Sequence, residues 1–294
     1  MGKTREIKGR IKAVGNIQRI TKTMQMIATA RFQAAQRRAT SSRPYTRKIA
    51  ELVQDLVAAS GGDQPLAHPL LQAPSPKTGR QLLLVITSNR GLCGGYNASL
   101  LRTAAQFLRS QSAGQVVLEV VGKKGAAYFK FSGRPVAAFH AQFTDKPKYE
   151  QVDQLAVRYM DEFTRGQYDA VQVVYMSFLS MARQAPAVLQ LLPLRPPVAD
   201  KPAAAPKVLP MYDLTPGAKD LLDELLPATV KTQLFQCFNE AAVGEQIARM
   251  VAMKSATDAA GKMKKLLTRK YNRARQTAIT TELTEIIGGA AGLA

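Results

Sequence analysis

Ala228-Thr-Val-Lys-Thr-Gln-Leu-Phe-Gln-Cys-Phe-Asn-Glu-Ala-Ala-Val-Gly-Glu-Gln-Ile247 opens a run that continues to Ile287 and decides the fold of the rest of the chain. No proline follows Pro227, and the interior glycines are Gly244 and Gly261. Apolar or small residues return in steps of three and four: Leu234, Phe238, Ala241, Gly244, Ala248, Ala252, Ala256, Ala259, Met263, Leu267, Tyr271, Ala274 and Ala278. That period is helical and not that of a strand. About 60 residues at 1.5 Å each make a rod of roughly 90 Å, longer than a small domain is wide. The stripe is mostly Ala and Gly, which bury little area but permit close backbone approach. The rod therefore needs a partner lying close along it.

That partner is found at the other end of the chain. Residues 3–58 predict a first long helix, with a stripe at Ile7, Ile11, Val14, Ile17, Ile20, Met24 and Ile27. Ser41-Ser-Arg-Pro-Tyr45 predicts a kink or local break at Pro44. The two helices form an antiparallel pair in the simplest arrangement. Their steps mix three and four freely, which leaves the hand of any supercoil open.

Residues 59–79 are rich in Gly and Pro and read as a loop. Residues 80–194 then alternate strand and helix patterns. Gln81–Thr87, Val116–Val121, Pro135–Phe139, Ala170–Ser177 and Ala187–Leu192 read as strands, the third weakly, with a hairpin around Ser180–Gln184. Asn97–Ser110, Gly122–Phe131 and Tyr149–Thr164 read as helices. This is a small α/β domain inserted between the long helices. A Pro/Ala linker covers 195–210. Residues 211–227 hold a short helix from about Pro216 to Leu226, with a break expected at Pro227. The division is thus 1–60, 78–194 and 211–294, with 211–227 as a foot segment.

Charge is concentrated on the long helices. Residues 1–48 carry thirteen Lys or Arg against the single acid Glu6, a net +12. Residues 245–275 carry nine against Glu245 and Asp258, a net +7, so the two stretches hold nearly all of the chain's +20. A partner with an acidic surface follows, either nucleic acid or protein. No apolar run approaches the length of a membrane span. The Met1-Gly-Lys-Thr-Arg-Glu6 start has no apolar signal core. Cys93 and Cys237 are far apart and lack metal-ligand spacing, so neither a disulfide framework nor a metal site is expected. His68 and His140 sit near loops and suggest no chemistry.

Ser88-Asn-Arg-Gly-Leu-Cys-Gly-Gly-Tyr-Asn97 follows the first strand, where a nucleotide fold would hold phosphate. Gly91, Gly94 and Gly95 do not keep the dinucleotide spacing, and no Lys-Ser/Thr follows them. The glycines read as a tight strand-to-helix turn, and no cofactor is expected. Gly2-Lys3-Thr4 lacks the upstream glycine and strand of a phosphate loop.

Four stretches carry a family resemblance: Ile20-Thr-Lys-Thr-Met-Gln-Met26 with Ser42-Arg-Pro-Tyr45; Gly91-Leu-Cys-Gly-Gly95; Glu245-Gln-Ile-Ala-Arg-Met-Val-Ala-Met-Lys-Ser-Ala-Thr-Asp258; and Tyr271-Asn-Arg-Ala-Arg-Gln-Thr-Ala-Ile-Thr-Thr-Glu-Leu-Thr-Glu-Ile286. In this order the chain resembles the γ subunits of F-type ATP synthases, of the bacterial type, over nearly its whole length. The resemblance implies a central rotor shaft of two antiparallel helices with an inserted Rossmann-like domain that binds no nucleotide. Its implied partners are the α3β3 ring, the ε subunit and the membrane c-ring, with no nucleic acid and no small-molecule substrate. The subunit would be non-catalytic. It would couple proton-driven c-ring rotation to the β subunits, regulate ATPase activity and proton flow, and lie peripherally on the cytoplasmic face of the bacterial inner membrane.

Carried over by motif, the implied contacts with β are Met24, Arg275, Gln276, Thr280 and Glu282. Arg275 and Gln276 would donate hydrogen bonds and Glu282 would accept. Tyr212 and Asp213 match the foot that meets the c-ring. Asn89 stands where the family commonly has Asp, and Gly292 where Ala is usual. The alternative reading is a basic coiled coil that binds nucleic acid. It shares the charge but lacks aromatic residues interleaved with the basic ones.

Overall fold

Gln81–Ile86 is buried along almost its whole length, and it seeds the sheet. The computed structural model describes residues 2–59, 68–74, 76–111, 115–194 and 218–291. Its elements run α1 (Gly2–Ala59), β1 (Gln81–Ile86), α2 (Tyr96–Ser110), β2 (Val116–Val121), α3 (Lys123–Phe131), β3 (Ala138–His140), α4 (Tyr149–Thr164), β4 (Ala170–Phe178), β5 (Gln184–Leu192) and α5 (Ala218–Ala291). Contacts divide the chain into two units. One holds residues 1–30 and 249–294, the other residues 31–248.

In the larger unit the five strands lie in the order β3-β2-β1-β4-β5. β1 pairs in parallel with both β2 and β4, and β3 pairs in parallel with β2. β5 returns antiparallel along β4 as a hairpin. Successive residues of β1 serve opposite faces, as the two-residue period of a strand requires. Leu82, Leu84 and Ile86 pack with α4 and with Leu222, Leu226, Val230, Leu234 and Phe238 of α5. Leu83 and Val85 pack with Leu100, Leu101, Ala104 and Leu108 of α2 and with Phe129 of α3. A parallel strand covered on both faces reads as an unbroken apolar run, which is what QLLLVI is. Pro186 is placed on β5, an edge strand, where its missing N–H costs no ladder bond on the open side.

The break expected at Pro227 is corrected, and of the kink or break expected at Pro44 the break does not occur. α1 runs through Pro44 and α5 through Pro227. A proline inside a helix costs about 3 kcal/mol. Around Pro227 the buried residues Leu222, Leu226, Val230 and Leu234 keep one continuous stripe into the core. Burying such side chains stabilises by about 1.5–3 kcal/mol each, which outweighs the lost bond. The short helix that was expected to end at Leu226 is the first part of α5. The weak third strand lies at Ala138–His140 rather than Pro135–Phe139.

In the smaller unit the two long helices are antiparallel. Thr21 meets Thr257, and Gln18 lies against Gly261, so numbers fall on one helix as they rise on the other. The covered face of α1 runs Ile7, Ile11, Val14, Gln18, Thr21, Gln25 and Ala28, in alternating steps of four and three. A strict seven-residue repeat is the pattern of a left-handed supercoil. Ile17, Ile20 and Ile27, expected in the seam, are exposed. On α5, Leu267, Tyr271, Ala274 and Ala278 are half-buried as expected, whereas Ala259 and Met263 are exposed.

Candidate partner-contact surface

The smaller unit presents two kinds of surface. Its seam mixes apolar residues with small and polar ones, and Ala28, Met253 and Ala260 are among its few fully buried apolar side chains. Outside the seam, apolar side chains point to solvent: Ile17, Ile20, Met26 and Ile27 on α1, and Met263, Leu266, Ile279, Leu283 and Ile286 on α5. Exposed apolar stripes of this kind mark interaction surfaces.

The last turns of α5 are arranged as a contact face. At about 100° per residue, Arg275 and Glu282 fall in one row and Gln276 and Thr280 in a second. Ile279, Leu283 and Ile286 lie between the rows, so an apolar centre is flanked by polar groups on both sides. All four polar residues are exposed. Thr280 Oγ1 donates to the Gln276 carbonyl at 3.0 Å, which holds its hydroxyl against the helix. Among the described residues, Arg275, Gln276 and Glu282 have no intramolecular side-chain hydrogen bond. Their donors and acceptors are therefore directed outward.

Met24 is not brought to this cluster. Thr21 is level with Thr257, so Met24 is level with about residue 254. Some twenty residues of helix separate that level from Arg275, roughly 30 Å at 1.5 Å per residue. Met24 is half-buried beside a groove lined by Gln18, Arg19, Lys22, Thr23 and Thr257. Tyr212 and Asp213 lie outside the described residues.

The loop after β1 in the larger unit is filled by its own side chains. Asn97 Oδ1 accepts from the Ser88 N–H at 3.0 Å, and Ser88 Oγ donates to Arg90 O at 2.7 Å. Asn97 Nδ2 lies 3.2 Å from Cys93 Sγ. Thr87 Oγ1 donates to Val121 O and accepts from the Gly125 N–H, which binds the end of β1 to the start of α3. Asn89 spans two elements. Its Nδ2 donates to Phe143 O at 2.9 Å and its Oδ1 accepts from the Lys123 N–H at 3.2 Å. An ionised carboxylate here could accept but not donate. Among the described residues, no group of three or more His, Cys, Asp and Glu is placed to hold a metal, and no helix is long and apolar enough to cross a membrane.

A family profile described as ATP synthase matches residues 3–293. An ATP synthase gamma chain of Rhodopirellula baltica is 42% identical over 298 residues, covering 100% of this chain and 99% of that relative. The chain belongs to the ATP synthase gamma-chain family. A second gamma chain, from Desulforamulus reducens, is 39% identical with full coverage of both sequences. Among solved structures, a chain of the Euglena gracilis mitochondrial ATP synthase, imaged with OSCP, F1 and c-ring, aligns with a TM-score of 0.63 and 21% identity. That alignment covers 99% of this chain and 95% of that one. A chain of the Tetrahymena thermophila central stalk and c-ring aligns at TM-score 0.56 and 19% identity, covering 81% and 99%. At such identities the likeness shows the fold alone.

Three polar clusters of this gamma-family chain, two of them buried, were invisible in the sequence. Glu119, on β2, accepts through Oε2 from His140 Nε2 at 2.7 Å, from the Tyr159 hydroxyl at 2.7 Å and from Arg158. Burial pushes the Glu119 carboxyl up, but the His140 and Tyr159 hydrogen bonds and the Arg158 charge outweigh it and hold it below the ordinary carboxylate value. Burial beside Glu119 drives the Tyr159 phenol well above its usual range. Nearer α5, buried Glu240 accepts from the Phe178 N–H at 3.0 Å and from Gln236 at 2.9 Å, joining the end of β4 to α5. Asp145 receives both Arg31 of α1, at 2.6 Å, and Arg90 of the loop. Apart from Gln236, one turn from Glu240 on α5, the partners in these clusters are 21 to 114 residues apart in the chain, so only the fold brings them together.

Proposed function

We propose that this chain is the central rotor shaft of a proton-translocating F-type ATP synthase, a non-catalytic subunit seated between the α3β3 ring and the membrane c-ring with ε. What supports the reading is its full-length membership of the gamma-chain family together with an antiparallel helix pair that carries exposed apolar stripes and outward polar rows. The faces of that pair differ around its axis. A turning rod of this kind offers each of three equivalent catalytic subunits a different contact in succession. A contact shifts a conformational equilibrium only by its differential affinity for the two states. The polar rows of Arg275/Glu282 and Gln276/Thr280, with Met24 some way along the rod, are the groups we assign to β. Excess positive charge on the rod suits an acidic segment that slides past it. We assign Tyr212 and Asp213 to the foot, residues 1–60 and 211–294 to the shaft, and 78–194 to the inserted domain. The site of action is the cytoplasmic face of a bacterial inner membrane, held peripherally, where the shaft also regulates ATPase activity and proton flow.

The test is reconstitution. The chain is mixed with α and β subunits from the same source, with Cys93 and Cys237 replaced and a single cysteine introduced in the α/β domain to carry a bead. The expected result is ATP-driven stepwise rotation of the bead. If no complex assembles and the chain instead binds DNA with a steep salt dependence, the shaft reading is wrong and the basic helices serve nucleic acid.

A further inference from the structure

We propose that the outer face of α3, with the turn after it, is a docking surface for an acidic segment of another protein that carries an apolar anchor side chain. The proposal is independent of the shaft reading, since it rests on the larger unit alone. α3 fixes itself to the sheet through Gly125 and Phe129, both buried. Its other side carries Lys124, Ala127, Tyr128 and Phe131 at the i, i+3, i+4, i+7 spacing of one helical stripe, all exposed. Phe131 is 92% exposed, the highest value among the exposed large hydrophobic side chains described. A helix of a monomeric domain puts aromatic residues inward; this one presents two outward, one turn apart.

Charge decides what would cover them. From Val120 to Thr144 the chain has Lys123, Lys124, Lys130 and Arg134 and no Asp or Glu. All four cations are exposed, and among the described residues none of them forms an ion pair. Aromatic anchors ringed by unpaired cations have the composition of an interface core and rim, complementary to an acidic partner with an apolar side chain. A lipid surface fits less well. An interfacial helix carries its cations on the face opposite its apolar side, whereas Lys124 shares a stripe with Tyr128 and Phe131. Single-stranded nucleic acid stacks on rings set in a basic groove, and these rings stand on a convex helix.

The test uses the full chain and a fluorescein-labelled synthetic peptide alternating glutamate with leucine, read by anisotropy. The patch variant combines Phe131→Ser, Lys130→Gln and Arg134→Gln; a control combines Lys262→Gln, Lys264→Gln and Lys265→Gln on the rod. The expected result is binding roughly tenfold or more weaker in the patch variant and within about twofold of wild type in the control. Phe131→Leu, which keeps an apolar anchor, retains binding, and a glutamate–serine peptide does not reach wild-type affinity. Equal losses in both variants, or a loss only in the control, overturn the proposal, because the peptide then reads net charge. A larger patch-dependent loss with oligothymidylate or with phosphatidylglycerol vesicles than with the peptide also overturns it, by assigning the patch to another class of partner.

Discussion

Thr257 donates through its hydroxyl to Thr21 Oγ1 across 2.8 Å, joining two helices that are 236 residues apart in the chain. Thr21 is buried at a seam position where an unbroken apolar stripe would place Ile or Leu. Thr21 passes its own proton to Gln18 O at 3.1 Å, while Met253 O, 2.8 Å from the Thr257 hydroxyl, competes with Thr21 for that hydroxyl's single proton. Thr21→Val or Thr257→Val alone should therefore cost about 1 kcal/mol, with the double variant less destabilised than the sum of the two. Urea unfolding of the four species gives the coupling energy directly. Strict additivity would mean that the two hydroxyls do not interact.

The same pair explains how the sequence misled. An apolar count along α1 selects Ile17, Ile20 and Ile27, because the true seam carries Gln18, Thr21 and Gln25 at its centre. Polar seam residues are tolerable here because Thr21 is satisfied across the pair and Gln18 lies over Gly261. The displaced isoleucines form a second stripe that this chain leaves uncovered. Strand and helix order were legible because β1, α2 and α4 bury their own periodic faces. Helix continuity through Pro44 and Pro227 was not, since it depends on burial on either side of the proline. Of the assigned contacts, the spacing of Arg275, Gln276, Thr280 and Glu282 can be read from the sequence. The distance of Met24 from them follows only from the helix register.

Glu119 gives the larger unit an acid-sensitive element. Its carboxyl is held below the ordinary value in the folded state, so the folded protein binds this proton less readily than the unfolded chain does. Its contribution is fully present above the unfolded carboxylate value of about 4.3 and is lost as pH falls through the lower folded value. Glu119→Gln should destabilise by on the order of 2–3 kcal/mol near neutral pH and by clearly less in acid. Denaturant midpoints at the two pH values check this. An equal loss at both would show that the carboxylate charge is irrelevant.

Two glycines should respond in opposite directions to the same substitution. A Cβ on Gly244 would lie 2.7 Å from Met176 Cγ and 3.2 Å from its Cβ, whereas one on Gly15 meets nothing within 4 Å. Alanine gains up to about 1 kcal/mol of helix propensity at either site. At Gly244 overpacking of α5 against β4 costs more, typically about 1–3 kcal/mol. Gly244→Ala should lower the thermal midpoint and Gly15→Ala should raise it. A rise in both would mean that α5 can move off Met176 freely.

The cysteines should be silent in the folded chain. Burial pushes the Cys237 thiol far above its usual value, and the Glu240 charge adds in the same direction. Cys93 is equally buried, with its sulfur against Asn97. A chromogenic disulfide reagent should find no fast-reacting thiol in native protein and two after denaturation, the full cysteine count. Rapid reaction of either one in the native state would show that its surroundings open readily.

Arg275 and Gln276 separate stability from function. Both side chains are exposed on α5, and surface changes of this kind usually stay within about 0.5 kcal/mol. Arg275→Ala and Gln276→Ala should leave the unfolding midpoint of the isolated chain unchanged. In the reconstituted complex the same variants remove outward donors at the polar rim of the Ile279/Leu283/Ile286 stripe. Loss of a hydrogen bond to a charged group is worth about 1.5–3 kcal/mol, so Arg275→Ala should slow ATP-driven rotation by roughly tenfold or more and Gln276→Ala by less. Glu282→Gln, which keeps an acceptor in the same row but removes its charge, should fall between wild type and Arg275→Ala. Rotation at the wild-type rate in all three variants would remove these rows from the contact and leave the apolar stripe to carry it alone.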